Sequence, residues 1–596
     1  MENINQIIEN SIKNSIANLF DIRDVEFVIE SPKDLSFGDL ATNIAMSLSR
    51  VLKRNPLDIA EEIKSDLQTA KLPFVESLSV AKPGFINIKI SKDYYKQVLQ
   101  HIFEAKETYG HNKEKKGKTI LIEHTSPNPN KEYHLGHLKN TVTGLSISYL
   151  LEANGAKVYR DCIDNNRGIA IARLMWGYLK FAKKDESLPT DLNYWFENQE
   201  KWKTPESENM NPGRFVDKLY TKGSEDFKNN SDVESKVRQM VVDWEAEEPK
   251  NHALWKLTQE WVWQGYKQSL SRVGGWKFDK IWHESDIYKQ GKNHVERGLR
   301  EGIFRKLEDG AILTNLKDFK LPDTIVIKND GTSLYITQDL ELSYLKRTTF
   351  NPDELYWVIG PEQSLAMKQM FAVCSQLGFG KYEDFHHIPY GFVLVKNAKG
   401  ESEKMSSRSG TQYYVNDLID IAKEKIKVYI TTEFSKEELE DISEKIAVAA
   451  IKYSLLKVSR TQDQIFDIDN TISLEGDSGP YILYTYSRSR SVISKGDFKN
   501  IYSSINGLDH DLEQSLLKEL YKFPQVVKDA TLNYAPNNIA LYLFNLAQLF
   551  NRFYTELPIL KAEQEDKNAR LALTWATGQV LKNGLSLLGI ETVEKM

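Results

Sequence analysis

Lys118-Thr119-Ile120-Leu121-Ile122-Glu123 runs into His124-Thr125-Ser126-Pro127-Asn128-Pro129-Asn130 and on to His134-Leu135-Gly136-His137. The first six residues have the β-branched, apolar pattern of a buried parallel strand. Two prolines and two asparagines cannot continue that strand and spell a loop. Leu138, Val142, Leu145, Tyr149 and Leu150 then recur at helical spacing, up to a stop at Asn154-Gly155. Strand, loop and helix in this order predict an α/β unit, and such sheets bind ligands at the carboxyl ends of their strands. Gly136 would let a planar ligand lie against the backbone. His134 and His137 share one face of the first turn, where their N–H groups and the positive helix end suit phosphate oxygens. Taken alone, His-x-Gly-His fits an ordinary polar helix start at least as well, and no third ligand for a zinc ion lies nearby.

Far downstream, Glu403-Lys404-Met405-Ser406-Ser407-Arg408-Ser409-Gly410 is a polar loop with two cations. Such a loop can close on a triphosphate and place a lysine against it during reaction. Alone, it is also an ordinary solvated loop.

The chain has 596 residues, which sets a prior of about four domains. It is 41% hydrophobic and 11% aromatic, enough for packed cores rather than disorder. The net charge of −6, from 78 basic and 84 acidic residues, argues against a general nucleic-acid coat. An RNA partner would have to be held by local patches and shape. Cys162 and Cys374 cannot build a disulfide framework, which fits a reducing cytoplasm. No apolar run approaches the ~20 residues that span a bilayer, so no membrane is expected. The start Met1-Glu2-Asn3-Ile4-Asn5-Gln6 has no basic and apolar pattern of a signal peptide.

Residues 1–108 read as a small α+β domain. Ile4, Ile7, Ile8, Ile12, Ile16 and Leu19 form a helical stripe, Val25–Ile29 and Gly84–Ile90 read as strands, and Asp39–Leu52 and Leu57–Leu67 as helices. If Ile86, Ile88 and Ile90 face inward, Phe85 and Asn87 lie on the other face as an aromatic–amide platform for a base, although a half-buried Phe85 reads equally well. Tyr109–Lys118 reads as a linker. Lys157–Ile163 reads as the next strand. Nine of the eleven tryptophans then fall between Trp176 and Trp282, in a stretch read as a helical insertion at about 170–285, with the rings as core or anchoring aromatics. Strands are expected again within Gly310–Ile327, at Leu355–Ile359 and at His387–Val395, with helices between, which supports a doubly wound sheet. Beyond Val415 no strand alternation is convincing, and residues 470–596 have the pattern of a helical bundle.

In that order, the two signature stretches resemble those of class I aminoacyl-tRNA synthetases. The run Glu123-His-Thr-Ser-Pro-Asn-Pro-Asn-Lys-Glu-Tyr-His-Leu-Gly-His-Leu-Lys-Asn is similar to the arginyl-tRNA synthetase form of the first motif, and Lys404-Met-Ser-Ser-Arg-Ser-Gly to that of the second. Tyr335-Ile-Thr-Gln-Asp339, Ala450-Ile-Lys-Tyr-Ser-Leu-Leu, Leu474-Glu-Gly-Asp-Ser-Gly-Pro-Tyr, Gly584-Leu-Ser-Leu-Leu-Gly-Ile-Glu and Phe37-Gly-Asp-Leu-Ala extend the likeness over essentially the whole length. The resemblance implies a doubly wound Rossmann-type catalytic domain at 118–412 carrying the insertion. It further implies an N-terminal α+β tRNA-contacting domain at 1–108, a helical connection at 413–469 and an all-α anticodon-binding bundle at 470–596.

The implied activity is arginine–tRNA ligation: ATP activates L-arginine to an adenylate, which passes to the 3′ end of tRNA(Arg). It implies that His134, Gly136, His137, Lys404, Met405 and Ser406 bind ATP, with His134, His137 and Lys404 catalytic. Glu123, Asn128, Tyr335, Asp339 and Gln363 would bind arginine, since a guanidinium fork wants carboxylates. Phe85 and Asn87 would touch tRNA. Mg2+ is expected with ATP but without a nameable protein ligand, and no structural metal is expected. A cytoplasmic monomer is the expected state. Ser407 stands where many class I enzymes carry a second lysine, which implies activation that needs bound tRNA. Asn166, in Asp164–Gly168, stands where an acid is expected. Three rivals remain: a cysteinyl enzyme, which would need more thiolate ligands; a non-catalytic tRNA-binding paralogue, opposed by intact His134, His137 and Lys404; and a plain nucleotidyltransferase, which leaves the terminal domains without a purpose.

Overall fold

Five short strands run parallel in one sheet: β1 Thr119–Glu123, β2 Lys157–Asp164, β3 Lys280–His283, β4 Glu354–Val358 and β5 Phe385–Ile388. Their order across the sheet is β5-β4-β1-β2-β3. This computed structural model describes residues 4–30, 32, 34, 37–332, 334–396, 402–404, 413–430, 433–496, 498 and 507–596.

β1 is buried on both faces, and its side chains alternate between two cores. Ile120 and Ile122 pack with Ile147 and Leu151 of helix α1 (Leu135–Ala153). Leu121 joins Trp357 and the apolar face of a later helix that begins at Ser364, with Met367, Met370 and Phe371. The helix after β1 therefore covers one face of the sheet, and the helix after β4 covers the other. Between neighbours whose helices diverge in this way a crevice opens at the carboxyl ends. α1 ends as its sequence says, at Asn154 and a Gly155 with φ +89°.

Between β2 and β3 the chain makes the helical insertion, whose long members include α2 (Pro212–Asn229) and α3 (Pro249–Arg272). Trp195 and Trp202 lie fully within its core, as expected of them. The expected insertion limit of 285 is too late, because Lys280–His283 is the edge strand β3. Four residues carry too little periodicity to read as a strand. What fixes them is Trp282, whose indole N–H donates to Asp161 Oδ2 at 2.8 Å. Beyond β3, helices α4 (Tyr335–Phe350) and α5 (Ser364–Gln376) flank β4.

The stretch His387–Val395, read as one strand, is two. β5 stops before Pro389, which has no N–H to give a ladder. Val393–Lys396 (β6) instead pairs antiparallel with Ser402–Lys404 (β7) and parallel with Gln464–Ile465 (β8). β8 thus corrects the reading of the chain beyond Val415 as free of strands; helices α6 (Val415–Lys427) and α7 (Lys436–Leu456) precede it.

The described chain divides into two compact units. One holds Gly110–Arg488, Pro524–Ala547 and Leu581–Met596 and carries the parallel sheet. The other holds Met1–Tyr109, Ser489–Phe523 and Gln548–Val580. The latter contains an antiparallel sheet in the order Ile29–Glu30, Leu40–Thr42, Phe85–Ile90, Val75–Ala81, with helices at Ile4–Phe20, Ile44–Leu52, Pro56–Thr69 and Lys92–Ala105. Two expectations shift here. The strand read at Val25–Ile29 reduces to Ile29–Glu30, and Asp39 precedes a strand rather than a helix. Its carboxylate accepts the Ile90 N–H at 2.8 Å and meets Lys518 at 2.5 Å, which draws Leu40–Thr42 into the sheet. The C-terminal residues are helical as read, at Gly479–Lys495, Asp511–Leu532, Pro536–Glu556 and Gln564–Leu587.

One close approach sets α1 against the loop after β1: a Cβ on Gly144 would lie 2.4 Å from His124 Cβ. Gly144→Ala should therefore cost about 1–3 kcal/mol by overpacking, read as a lowered urea midpoint for the main unfolding transition.

Candidate functional site

A cavity of about 460 Å³ opens above the carboxyl ends of β1 and β4. Glu123, Asn128, His137, Asp339 and Gln363 all line it, so five residues singled out from sequence meet in one place. Each arrives by a different element: Glu123 ends β1, Asn128 sits in the loop, His137 in the first turn of α1, Asp339 in α4, and Gln363 in the short turn after β4. Met405 and Ser406 lie outside the described residues, as do the side chains of Tyr335 and Lys404. By backbone, Tyr335 opens α4, one turn before Asp339, and Lys404 ends β7.

His134 is the N-cap of α1. Its Nδ1 accepts the N–H groups of Gly136 (3.2 Å) and His137 (3.4 Å), and His137 Nδ1 accepts the His134 N–H at 3.5 Å. This reciprocal cap satisfies donors that the helix start leaves free. The two rings stack with centroids 3.6 Å apart. Burial, and then Lys131, push the His134 ring down to about 4; burial, His134 and Lys131 push His137 well below the usual histidine value. Both imidazoles are thus neutral near pH 7. With Nδ1 committed as an acceptor, each ring keeps its proton on Nε2, as a donor for a ligand oxygen.

The opposite part of the cavity is acidic. Lys346, 1% exposed, reaches Glu123 Oε2 at 2.5 Å and Asp161 Oδ2 at 3.0 Å. Burial works against its charge, but Asp161 and Glu123 hold its pKa above the ordinary lysine value. One ammonium thus serves two carboxylates, and Glu123 Oε1 accepts from Ser126 Oγ at a long 3.3 Å. Asp339 is pushed up to about 7, first by burial and then by Glu123. The carboxylates here outnumber the ammonium, and a planar cationic ligand would reduce that excess.

Sequence reasoning passed over two residues. Asn140 accepts the Thr125 N–H and donates to the Val358 carbonyl, both at 2.6 Å, tying α1 to the loop after β1 and to the last residue of β4. Its place one turn after His137 was a usable signal. Lys346 had none, since a lysine on a helix reads as solvated. The departure at Asn166 also has a physical account. Its side chain accepts the Ser285 N–H at 3.0 Å and donates to Ser285 Oγ at 3.1 Å, a double role closed to a carboxylate. Phe85 and Asn87 belong to the other compact unit. Phe85 is half-buried, and Asn87 is 4% exposed because its strand runs between Ala41 and Ser79, so the two do not form the open platform the alternation suggested.

Three family descriptions match the chain. They are "tRNA synthetases class I (R), catalytic domain" over residues 98–187 and 191–468, "Arginyl tRNA synthetase N terminal domain" over 6–90, and "DALR anticodon binding domain" over 482–596. An arginine–tRNA ligase of Treponema denticola is 33% identical, covering 95% of this chain and 94% of its own length. One of Flavobacterium psychrophilum is 30% identical, with both chains covered fully. The solved arginyl-tRNA synthetase of Thermus thermophilus shares the fold at a TM-score of 0.79 and 20% identity, over 99% of this chain and all of that one.

Lys346→Met should leave Glu123 and Asp161 buried without a counter-charge. A loss of about 3–5 kcal/mol is expected, read as a drop in unfolding midpoint with denaturant.

Proposed function

The chain belongs to the class I arginyl-tRNA synthetases, enzymes that join L-arginine to tRNA(Arg) at the expense of ATP in protein synthesis, and we propose that its arginine and ATP meet in the cavity above β1 and β4. The observation that carries this assignment is the shared Lys346: it leaves Glu123 and Asp339 in need of one more cation beside a helix start furnished with two N–H donors.

In this reading the guanidinium of arginine lies between Glu123 and Asp339, with Tyr335 one turn from Asp339. Asn128 and Gln363 take the α-amino and carboxylate end. The carboxylate attacks the α-phosphate of ATP and pyrophosphate leaves; the adenylate then passes to the terminal ribose of the tRNA. The protein supplies position and directed dipoles rather than a covalent intermediate. His134 and His137 donate from Nε2 to phosphate oxygens as charge builds there, Gly136 leaves room for the nucleotide, and Lys404, with Met405 and Ser406, steadies the leaving pyrophosphate. Phe85 and Asn87 remain our assignment for a tRNA contact, which requires that Asn87 act from within its sheet. Ser407, in place of a second lysine, favours activation that depends on bound tRNA.

Among the described residues no group of three His, Cys, Asp or Glu side chains is placed to hold a metal ion. Mg2+ is therefore assigned no protein ligands; it would arrive on the triphosphate. Among the described residues no helix is long and apolar enough to cross a membrane. Cys162 and Cys374 are buried free thiols, which suits our reading of an enzyme working in a reducing cytoplasm; we assign it as a monomer.

The decisive test is exchange of labelled pyrophosphate into ATP, with each amino acid in turn, with and without tRNA(Arg). Exchange with arginine only when tRNA is present is expected. Exchange with arginine alone would remove the tRNA requirement, and none with arginine would overturn the Glu123–Asp339 assignment. Asp339→Asn should raise the KM for arginine by more than about thirtyfold, from a loss of roughly 2–5 kcal/mol.

The Asp339 carboxyl sits at about 7 in the empty cavity, and a guanidinium beside it would draw that value down. Arginine binding below pH 7 must then expel a proton. Affinity should climb as pH rises towards 7, by up to about tenfold per unit, and level off above it. Calorimetry in buffers of different ionisation heat would count the proton.

A further inference from the structure

The two signature stretches meet at the backbone. His134 forms an antiparallel bridge with Tyr414; the Leu135 N–H donates to the Tyr413 carbonyl at 2.9 Å and the Val415 N–H to the Tyr133 carbonyl at 3.0 Å. The residues that lead into α1 are thereby paired with those that lead from the second signature into α6.

Both sides of this pairing are gripped by the helical insertion. From α3, Tyr266 donates to the Asn128 carbonyl at 2.8 Å, Asn416 Nδ2 donates to Ser269 Oγ at 2.9 Å, and Arg272 donates to the Asn416 carbonyl at 3.2 Å. From α2, one side chain touches both sides. Arg214 donates from Nε and Nη2 to the Glu132 carboxylate and from Nη2 to Asp417 Oδ2 at 2.6 Å, and its guanidinium lies 4.0 Å over the ring of Tyr414. The Tyr414 hydroxyl donates to Asp217, one turn further along α2.

We propose that Arg214 is a positioning residue for adenylate formation, holding the His134–His137 turn and the segment after the second signature in register through Glu132, Tyr414 and Asp417. This inference rests on the assignment of those two motifs to ATP.

The place is specific. Glu132 stands two residues before His134, and Tyr414 is the bridge partner of His134 itself. The site of the guanidinium is fixed from behind: α2 starts at an Asn211 cap with Pro212, and a Cβ on Gly265 of α3 would lie 2.6 Å from the Gly213 backbone nitrogen. The chemistry is also specific to arginine, because one planar fork serves a buried carboxylate, an exposed one and an aromatic face together. Glu132 is 2% exposed. Burial pushes its carboxyl up to about 7 against the pull of Arg214, with Asp417 and Asp217 adding to the rise. Without Arg214 it would be a buried carboxyl beside two others, and the turn it precedes would lose its anchor. A bond network of this kind sets the position of reacting groups, and displacement by about 1 Å at such a site costs on the order of a hundredfold in rate.

The test is pyrophosphate exchange with arginine and tRNA(Arg) on the full chain, comparing wild type with Arg214→Gln, Arg214→Lys and Asp417→Asn. Wild-type exchange reports on the proposed function, and the variants relative to it report on Arg214. Arg214→Gln should lower kcat roughly ten- to hundredfold while the KM for arginine stays within about twofold, since Glu123 and Asp339 are untouched. Arg214→Lys should recover part of the loss. Asp417→Asn, a change at an exposed carboxylate, should give a smaller loss of the same kind at an unchanged melting temperature. Wild-type kcat in Arg214→Gln overturns the proposal. So does a loss in which kcat and arginine affinity fall together while Asp417→Asn is silent, because Arg214 would then be a general staple.

Discussion

The order of the parallel sheet reverses between β1 and β4, and everything at this site follows from the helices after those two strands lying on opposite faces. The helix after β1 takes one face and the helix after β4 the other, so among the described residues a crevice is left at the carboxyl ends between them. Into that opening the chain brings the start of α1, two loops and the helix that carries both Asp339 and Lys346. Asn140 bonds the loop after β1 on one side and the end of β4 on the other, and so links the two sides of the opening.

The electrostatics of the cavity are built by subtraction. Lys346 is buried beside Glu123 and Asp161, and a single ammonium cannot answer two carboxylates and a third at Asp339. Glu123 and Asp161 are almost wholly buried there, so solvent does little to offset the deficit. In the reading proposed above, the pocket would select for charge through an imbalance of buried groups, and for shape through their placement on helices and strand ends.

Much of this was legible from residue order. Lys118–Gly155 read correctly as strand, loop and helix because apolar alternation, paired prolines and a terminal glycine all agree there. The meeting of Glu123, His137 and Asp339 was legible only through the family likeness, since no local pattern joins positions so far apart. The errors share a cause. β3 and β8 are edge pairings of four and two residues, held by Trp282 in one case and by register with β6 in the other. Such strands exist through their neighbours and leave no periodicity of their own. Asn87 was misplaced for the opposite reason: alternation was assumed to separate buried from open faces, but a central strand has no open face where other residues cover it. Lys346 and Arg214 were invisible because a cation on a helix looks solvated until its partners are placed.

The neutral imidazoles at the start of α1 have a consequence for turnover. With each Nδ1 held by the backbone, the phosphate donors carry direction but no formal charge. A neutral N–H donor lacks the added Coulomb attraction that a cationic donor has for an anionic phosphate. In the ATP site proposed above, such a pair would direct hydrogen bonds at a phosphate without adding a cation there, and would hold a departing nucleotide less tightly than two imidazolium rings.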